Sequence, residues 1–102
     1  MAITETHFGL FKVVGAGNGV LLAKEGSRGS ISSISICCEH QTSAAIVDLY
    51  LNDGTDSFYI IKDVAIPPGA TLMLNEGLSF DNNTLALEIN QTQAVDLSVI
   101  IK

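Results

Sequence analysis

Tryptophan is absent from this chain, and lysine and arginine together number five against eleven acidic residues, for a formal net charge of −6. So few cations cannot neutralise a run of phosphates, and no aromatic-basic interleaving compensates, so nucleic acid is excluded as a partner. Without a tryptophan, and with only Glu76, Asp81, Glu88 and Asp96 to supply paired carboxylates, the chain makes a poor sugar-cleaving cleft. Long apolar runs are missing too: Ala44 to Val47 is interrupted by Asp48, far short of the roughly 18 residues of a membrane-spanning helix. The start, Met1-Ala2-Ile3-Thr4-Glu5-Thr6, has neither a basic stretch nor an apolar core of leader type. The expectation is synthesis in the cytoplasm, with no visible secretion route and no membrane partner.

Histidine and cysteine are scarce: His7, His40, Cys37 and Cys38. Adjacent cysteines on a strand point to opposite faces, so a mutual disulfide is not expected; one belongs in the core and one outside. The same geometry spoils a zinc set, which needs four converging ligands, and there is no CxxC. Nucleophilic catalysis lacks an orienting partner for either cysteine, and Gly26-Ser27-Arg28-Gly29-Ser30 is a glycine-serine turn, not a nucleophile elbow. Gly15-Ala16-Gly17-Asn18-Gly19 lacks both the spacing and the βαβ frame of a dinucleotide loop. Asn82 and Asn90 stand in Asn-X-Thr triplets and are read as turn and strand residues, not as glycan acceptors. No catalytic residue, no metal and no cofactor is expected.

Of the 102 residues, 47% are hydrophobic and only 16% charged, against about 25% in an ordinary domain. The pattern has period two. Ile34, Ile36 and Cys38 alternate with Ser33, Ser35 and Cys37, and Val47, Leu49 and Leu51 with Ile46, Asp48 and Tyr50. Phe58, Ile60, Val64 and Ile66 share a parity, as do Leu85, Leu87 and Ile89, and then Val95, Leu97, Val99 and Ile101. Phe8 to Val14 and Val20 to Ala23 supply weaker candidates, with Gly15 to Gly19 as the turn between them. Asn52-Asp53-Gly54, Pro67-Pro68-Gly69 and Asp81-Asn82-Asn83 mark turns. No helical stripe is present. These features predict an all-β chain, a single antiparallel β-sandwich of about 7–8 strands, immunoglobulin-like or jelly-roll-like, over residues 10–102. Residues 1–9 are expected as a flexible arm that orders on a partner.

The face opposite the core is not uniformly polar. By parity Ile46, Tyr50, Tyr59, Ile61, Met73 and Ile100 all point outward, where a solitary sandwich carries mainly charged or hydroxylated residues. These six are the candidate interface residues, expected to bury against other subunits.

Several segments carry a family likeness: Ile34-Ser35-Ile36-Cys37, Ile46-Val47-Asp48-Leu49-Tyr50-Leu51, the long stretch from Tyr59 through Ile66-Pro67-Pro68-Gly69-Ala70-Thr71-Leu72, Ser79-Phe80-Asp81, and Leu97-Ser98-Val99-Ile100-Ile101-Lys102. Together, over roughly Phe11 to Lys102, they resemble small virion structural proteins of tailed bacteriophages, especially marine phages of cyanobacteria and related oceanic hosts. The resemblance implies a non-enzymatic, all-β module repeated many times in a particle, assembled in the bacterial host cytoplasm and resident in the virion. It implies partners among the major capsid, neck or tail proteins, and association with further copies of itself. Within that family a capsid decoration or cement protein is favoured over a neck, tail or baseplate adaptor. The rival class is a ligand-binding module, carbohydrate-binding or calcium-dependent, such as a host-recognition tip, with Asp53, Asp56, Glu76 and Asp81 supplying oxygens from one loop cluster.

Overall fold

A computed structural model describes all of residues 1–102. Eleven strands follow one another without a helix: β1 (Ala2–His7), β2 (Leu10–Val14), β3 (Gly17–Leu22), β4 (Ser30–Ile31), β5 (Ile34–Cys38), β6 (Ala45–Asn52), β7 (Ser57–Ile66), β8 (Thr71–Leu74), β9 (Leu78–Ser79), β10 (Ala86–Gln91) and β11 (Leu97–Ile101). They form a five-stranded sheet in the order β1-β2-β11-β5-β8, a four-stranded sheet in the order β3-β10-β6-β7, and a short ribbon of β4 and β9. Every pairing is antiparallel.

The alternating residues produce this layering directly. Phe11 and Val13 of β2, Ile34, Ile36 and Cys38 of β5, and Leu97 and Val99 of β11 line the inner face of the larger sheet; Val47 and Leu49 of β6 and Leu87 and Ile89 of β10 line that of the smaller. Fully burying each such side chain contributes about 1.5–3 kcal/mol, which is what holds the two sheets face to face. The all-β sandwich expected from the period-two pattern is the observed fold. Its strand order settles the choice left open between two topologies. Consecutive strands β2/β3, β5/β6, β7/β8 and β10/β11 each divide between the two sheets, and 2-11-5-8 lies over 3-10-6-7. That is the jelly-roll wrap, with β1 added at one edge.

Three expectations are corrected. Residues 1–9 are not an arm: Ala2–His7 pair with β2, Ile3 opposite Val13 and Glu5 opposite Phe11. Met1 and Ile3 pack against the core, and Gly19 lies where any Cβ would strike the Ile3 side chain, so a bare backbone admits the first strand. The glycine run is not wholly a turn either; Gly17, Asn18 and Gly19 already pair with Gln91, Asn90 and Ile89 of β10.

The third correction concerns β7. Ten residues of β7 face eight of β6, and the register slips between Val47 and Leu49 and again between Leu49 and Tyr50. Each slip is a bulge that puts an extra residue on β7 and reverses the facing of everything beyond it. Asp63 sits in one of them with φ +52°, a left-handed conformation that aspartate tolerates. Its N–H donates to Oδ1 of Asp48 at 2.6 Å, while Asn90 Nδ2 donates to Oδ2 at 3.3 Å. Paired residues share a face, so Ile61, opposite Leu49, turns inward and packs against the core, whereas Tyr59, opposite Tyr50, turns outward.

The Ile66 to Asn83 segment runs from a strand end through the expected Pro-Pro-Gly turn to β8 and β9, then into the expected polar turn at Asp81-Asn82-Asn83. Asn82 organises that bend. Its buried carboxamide accepts from the amides of Gly26 and Arg28 and donates to the carbonyls of Ala23 and Leu85. This Nδ2 is committed to two backbone oxygens, which closes it to glycan attachment in the folded chain. Gly29 lies so near the Phe80 carbonyl that a Cβ has no room there.

Candidate interaction surface

The six sequence candidates divide between two surfaces and the interior. Met73 and Ile100 lie on the outer face of the larger sheet, 57% and 36% exposed. The registers Leu10↔Ile100, Ile100↔Ser35 and Ser35↔Met73 place them in one cross-strand row, with exposed Leu10 at its other end. On the outer face of the smaller sheet stand half-buried Ile46 and exposed Tyr59. Tyr50 shares that face but is only 6% exposed. Its ring lies 5.3 Å from that of Tyr59, and its hydroxyl donates to Glu88 Oε1 at 3.2 Å. Burial, with Glu88 beside it, pushes the Tyr50 phenol up from its ordinary value. Tyr50 therefore lies beneath Tyr59, covered by its neighbours, and Ile61 packs against the core. Lys62 holds its ammonium 4.4 Å from the Tyr59 ring centroid, a cation–π contact on an exposed aromatic of this outer face.

The most exposed large apolar side chain is not among the six candidates, because strand parity says nothing about a residue in a turn. Phe8, at 83% exposure, projects from the turn between β1 and β2. Arg28 lies 4.3 Å from its ring centroid and donates to both oxygens of Glu5, at 3.1 and 2.6 Å. Glu5 also accepts from the Gly9 amide at 2.8 Å. The Arg28 hydrogen bond holds the Glu5 carboxyl below the usual carboxylate value, and Glu5 raises Arg28 in return. Gly9 closes the turn at φ +79°, where a Cβ would strike the Ile101 carbonyl. A lone Phe-Gly after a polar run was the available signal: an apolar side chain set at a turn glycine is presented, not hidden.

At the opposite edge of the molecule, β8, β9 and the start of β7 enclose a cleft of about 370 Å³ lined by Ile34, Ile60, Met73, Leu74 and Leu78, with Glu76 as its ionisable lining residue. Ile60 reaches it because it is the extra residue of the second β7 bulge.

The acidic loops proposed for calcium do not converge, and no three His, Cys, Asp or Glu side chains come together in a metal-like group. Asp53 Oδ1 accepts from the amides of Thr55 and Asp56, and Asp81 Oδ1 from that of Asn83. The Asp56 and Thr55 amides hold the Asp53 carboxyl below its ordinary value. These oxygens serve their own turns. The cysteines fall on opposite faces: Cys38 is in the core and donates to the Ser43 carbonyl at 3.3 Å, Cys37 is partly exposed, and both are free. His40 Nδ1 accepts from the Thr42 and Ser43 amides at 3.1 and 2.9 Å, closing the loop after β5.

The fold and surface thus define a class: a β-sandwich that presents apolar side chains from its strands and one turn. No family model matches the chain, and no curated protein does. Among solved structures, a thiamin pyrophosphokinase family protein from Enterococcus faecalis is similar over 92% of this chain, at 10% identity and a TM-score of 0.47. The chain spans 37% of that protein's length, and a likeness at this level does not bear on activity.

Proposed function

We propose that this chain is a non-enzymatic structural subunit of a tailed-phage virion, a capsid decoration or cement protein that binds neighbouring virion subunits. The observation that carries this is the exposure of Phe8, Leu10, Met73 and Ile100 on the larger sheet and its turn, the last three set by strand pairing and Phe8 by the turn that Glu5 and Arg28 brace. A monomer keeps large apolar groups scattered and few; several presented from rigid strands mark a surface that other chains cover. The jelly-roll wrap is one that capsid proteins use repeatedly, which adds support by analogy. Adhesion would be the mechanism. Each copy contributes a few apolar anchors, and the shell is clamped by many such contacts acting at once. A net charge of −6 points to protein partners, not nucleic acid.

The direct test mixes purified protein with phage heads lacking it and follows co-sedimentation, then locates labelled copies on intact particles. Regularly spaced copies on the capsid surface are expected. Protein that never sediments with heads, tails or complete particles refutes the structural role, and labelling confined to the neck or tail refutes the decoration role alone.

A further inference from the structure

We propose that copies of this chain join head to tail, with Phe8 of one seated in the β7–β8–β9 cleft of the next; this names the self-contact of the structural subunit proposed above. Phe8 is a braced knob. Its ring lies against Arg28, Arg28 is bonded twice to Glu5, and Glu5 holds the Gly9 amide, so the turn is ordered before any partner arrives. A pre-ordered aromatic loses little conformational entropy on binding, which is what makes such residues effective anchors.

The cleft matches the knob in size and sign. At about 370 Å³ and lined by Ile34, Ile60, Met73, Leu74 and Leu78, it has ample room for one aromatic ring. Glu76 is its one ionisable residue, and the incoming ring brings the Arg28 cation 4.3 Å from its centroid. Seating Phe8 therefore sets the guanidinium N–H groups that Glu5 leaves unused beside Glu76, so that Arg28 is shared between two carboxylates. The apolar surface continues beyond both: Leu10 follows the knob, and exposed Phe58 lies two residues from Ile60.

A chain cannot fill its own cleft. The Gly9 carbonyl accepts from the Ile101 amide, Ile101 faces Ile34, and Ile34 faces Leu74. Knob and cleft thus stand at the same level of the larger sheet with β11 and β5 between, about 14 Å apart by strand spacing. They occupy opposite edges at one end, so every copy offers one of each. Such heterologous contacts close into a ring when the rotation between copies permits, and otherwise run on as a filament.

Sedimentation velocity over a concentration series, on wild type, Phe8→Ala and Met73→Glu, tests this. Both side chains are exposed, and thermal melts verify that the variants fold. The wild type is expected to associate, and each variant to weaken association at least about 25-fold, the loss of one anchor worth about 2 kcal/mol. An equimolar mixture of the two variants is diagnostic. Phe8→Ala keeps the cleft and Met73→Glu keeps the knob, so the mixture must give one-to-one dimers and nothing larger. Association of Phe8→Ala as tight as wild type, or variants that fail to pair, overturns the proposal. Wild type that stays monomeric yet decorates heads sinks the head-to-tail contact and leaves the structural role standing. Protein that self-assembles through Phe8 but never joins a particle does the reverse.

Discussion

Replacing Asn82 tests how this helix-free chain fixes its longest irregular connections. Asn82 is 3% exposed and makes four hydrogen bonds, all to backbone: from Gly26 and Arg28 at 3.2 Å each, and to Ala23 and Leu85 at 3.1 Å each. Truncation to alanine leaves two amides and two carbonyls without these partners. At a net of about 1 kcal/mol per bond the full loss is about 4 kcal/mol, and water reaching some of the freed groups reduces it to about 2–4 kcal/mol. In a domain of this size each kcal/mol moves the melting temperature by about 4–8 °C, so Asn82→Ala should melt at least about 8 °C below wild type. Asn83→Ala, one residue along on an exposed side chain, should change stability by less than about 0.5 kcal/mol. Asn82→Asp sharpens the test. It retains acceptors for Gly26 and Arg28 but turns oxygen toward the Ala23 and Leu85 carbonyls, in a buried site that disfavours the charge. The folded state then holds its proton more tightly than the unfolded chain, so the penalty is small in acid and grows as the pH rises past the unfolded aspartate value. Differential scanning calorimetry of all three variants beside wild type, across pH, reads this out. An Asn82→Ala melt within about 3 °C of wild type refutes the hub.

Three further outcomes follow from specific contacts. Glu5 and Glu39 have carboxyls held down by Arg28 and Lys12, so their stabilisation is complete above their ordinary value of 4.5 and is lost as the pH falls through the lowered folded values; Glu5→Gln should flatten that acid limb in a melt-versus-pH series, and an unchanged limb assigns it elsewhere. Ile61→Asp should cost about 2–4 kcal/mol by placing a charge against the core, while Tyr59→Ser, on the outer face, should cost under about 1 kcal/mol by urea titration; equal losses would mean that the β7 bulges are misplaced. Cys38→Ser should destabilise by about 1–3 kcal/mol and Cys37→Ser by less than about 0.5 kcal/mol, with Cys37 the faster of the two to react with a thiol reagent in the native state.

Much of the fold was legible in the chain because a half-buried strand writes its environment into every second residue. Ile34, Ile36 and Cys38, or Leu97 and Val99, face the core as their parity requires, and Pro67-Pro68-Gly69 and Asn52-Asp53-Gly54 turn where their backbone preferences demand. Parity failed on β7, and the reason is physical. A bulge reverses facing without changing composition, and the cause of one lies fifteen residues away, in the Asp48 carboxylate that receives the Asp63 amide. Tyr50 failed differently. It does point away from the core, but Glu88 and Tyr59 on neighbouring strands cover it, and neighbours across a sheet are not written in local sequence.

The surface follows the same division. That the chain is all-β and acidic is decided by residue order alone, since period and composition are local properties. Only the tertiary structure chose the jelly roll over other sandwiches, drew Ala2–His7 into the larger sheet, and set Phe8 on one edge and the Ile60–Leu78 cleft on the other. Each of these depends on pairings between residues tens of positions apart, such as Leu97 with Cys38 and Leu10 with Ile100. The free energy of such pairings belongs to the closed sandwich, not to any stretch of chain within it.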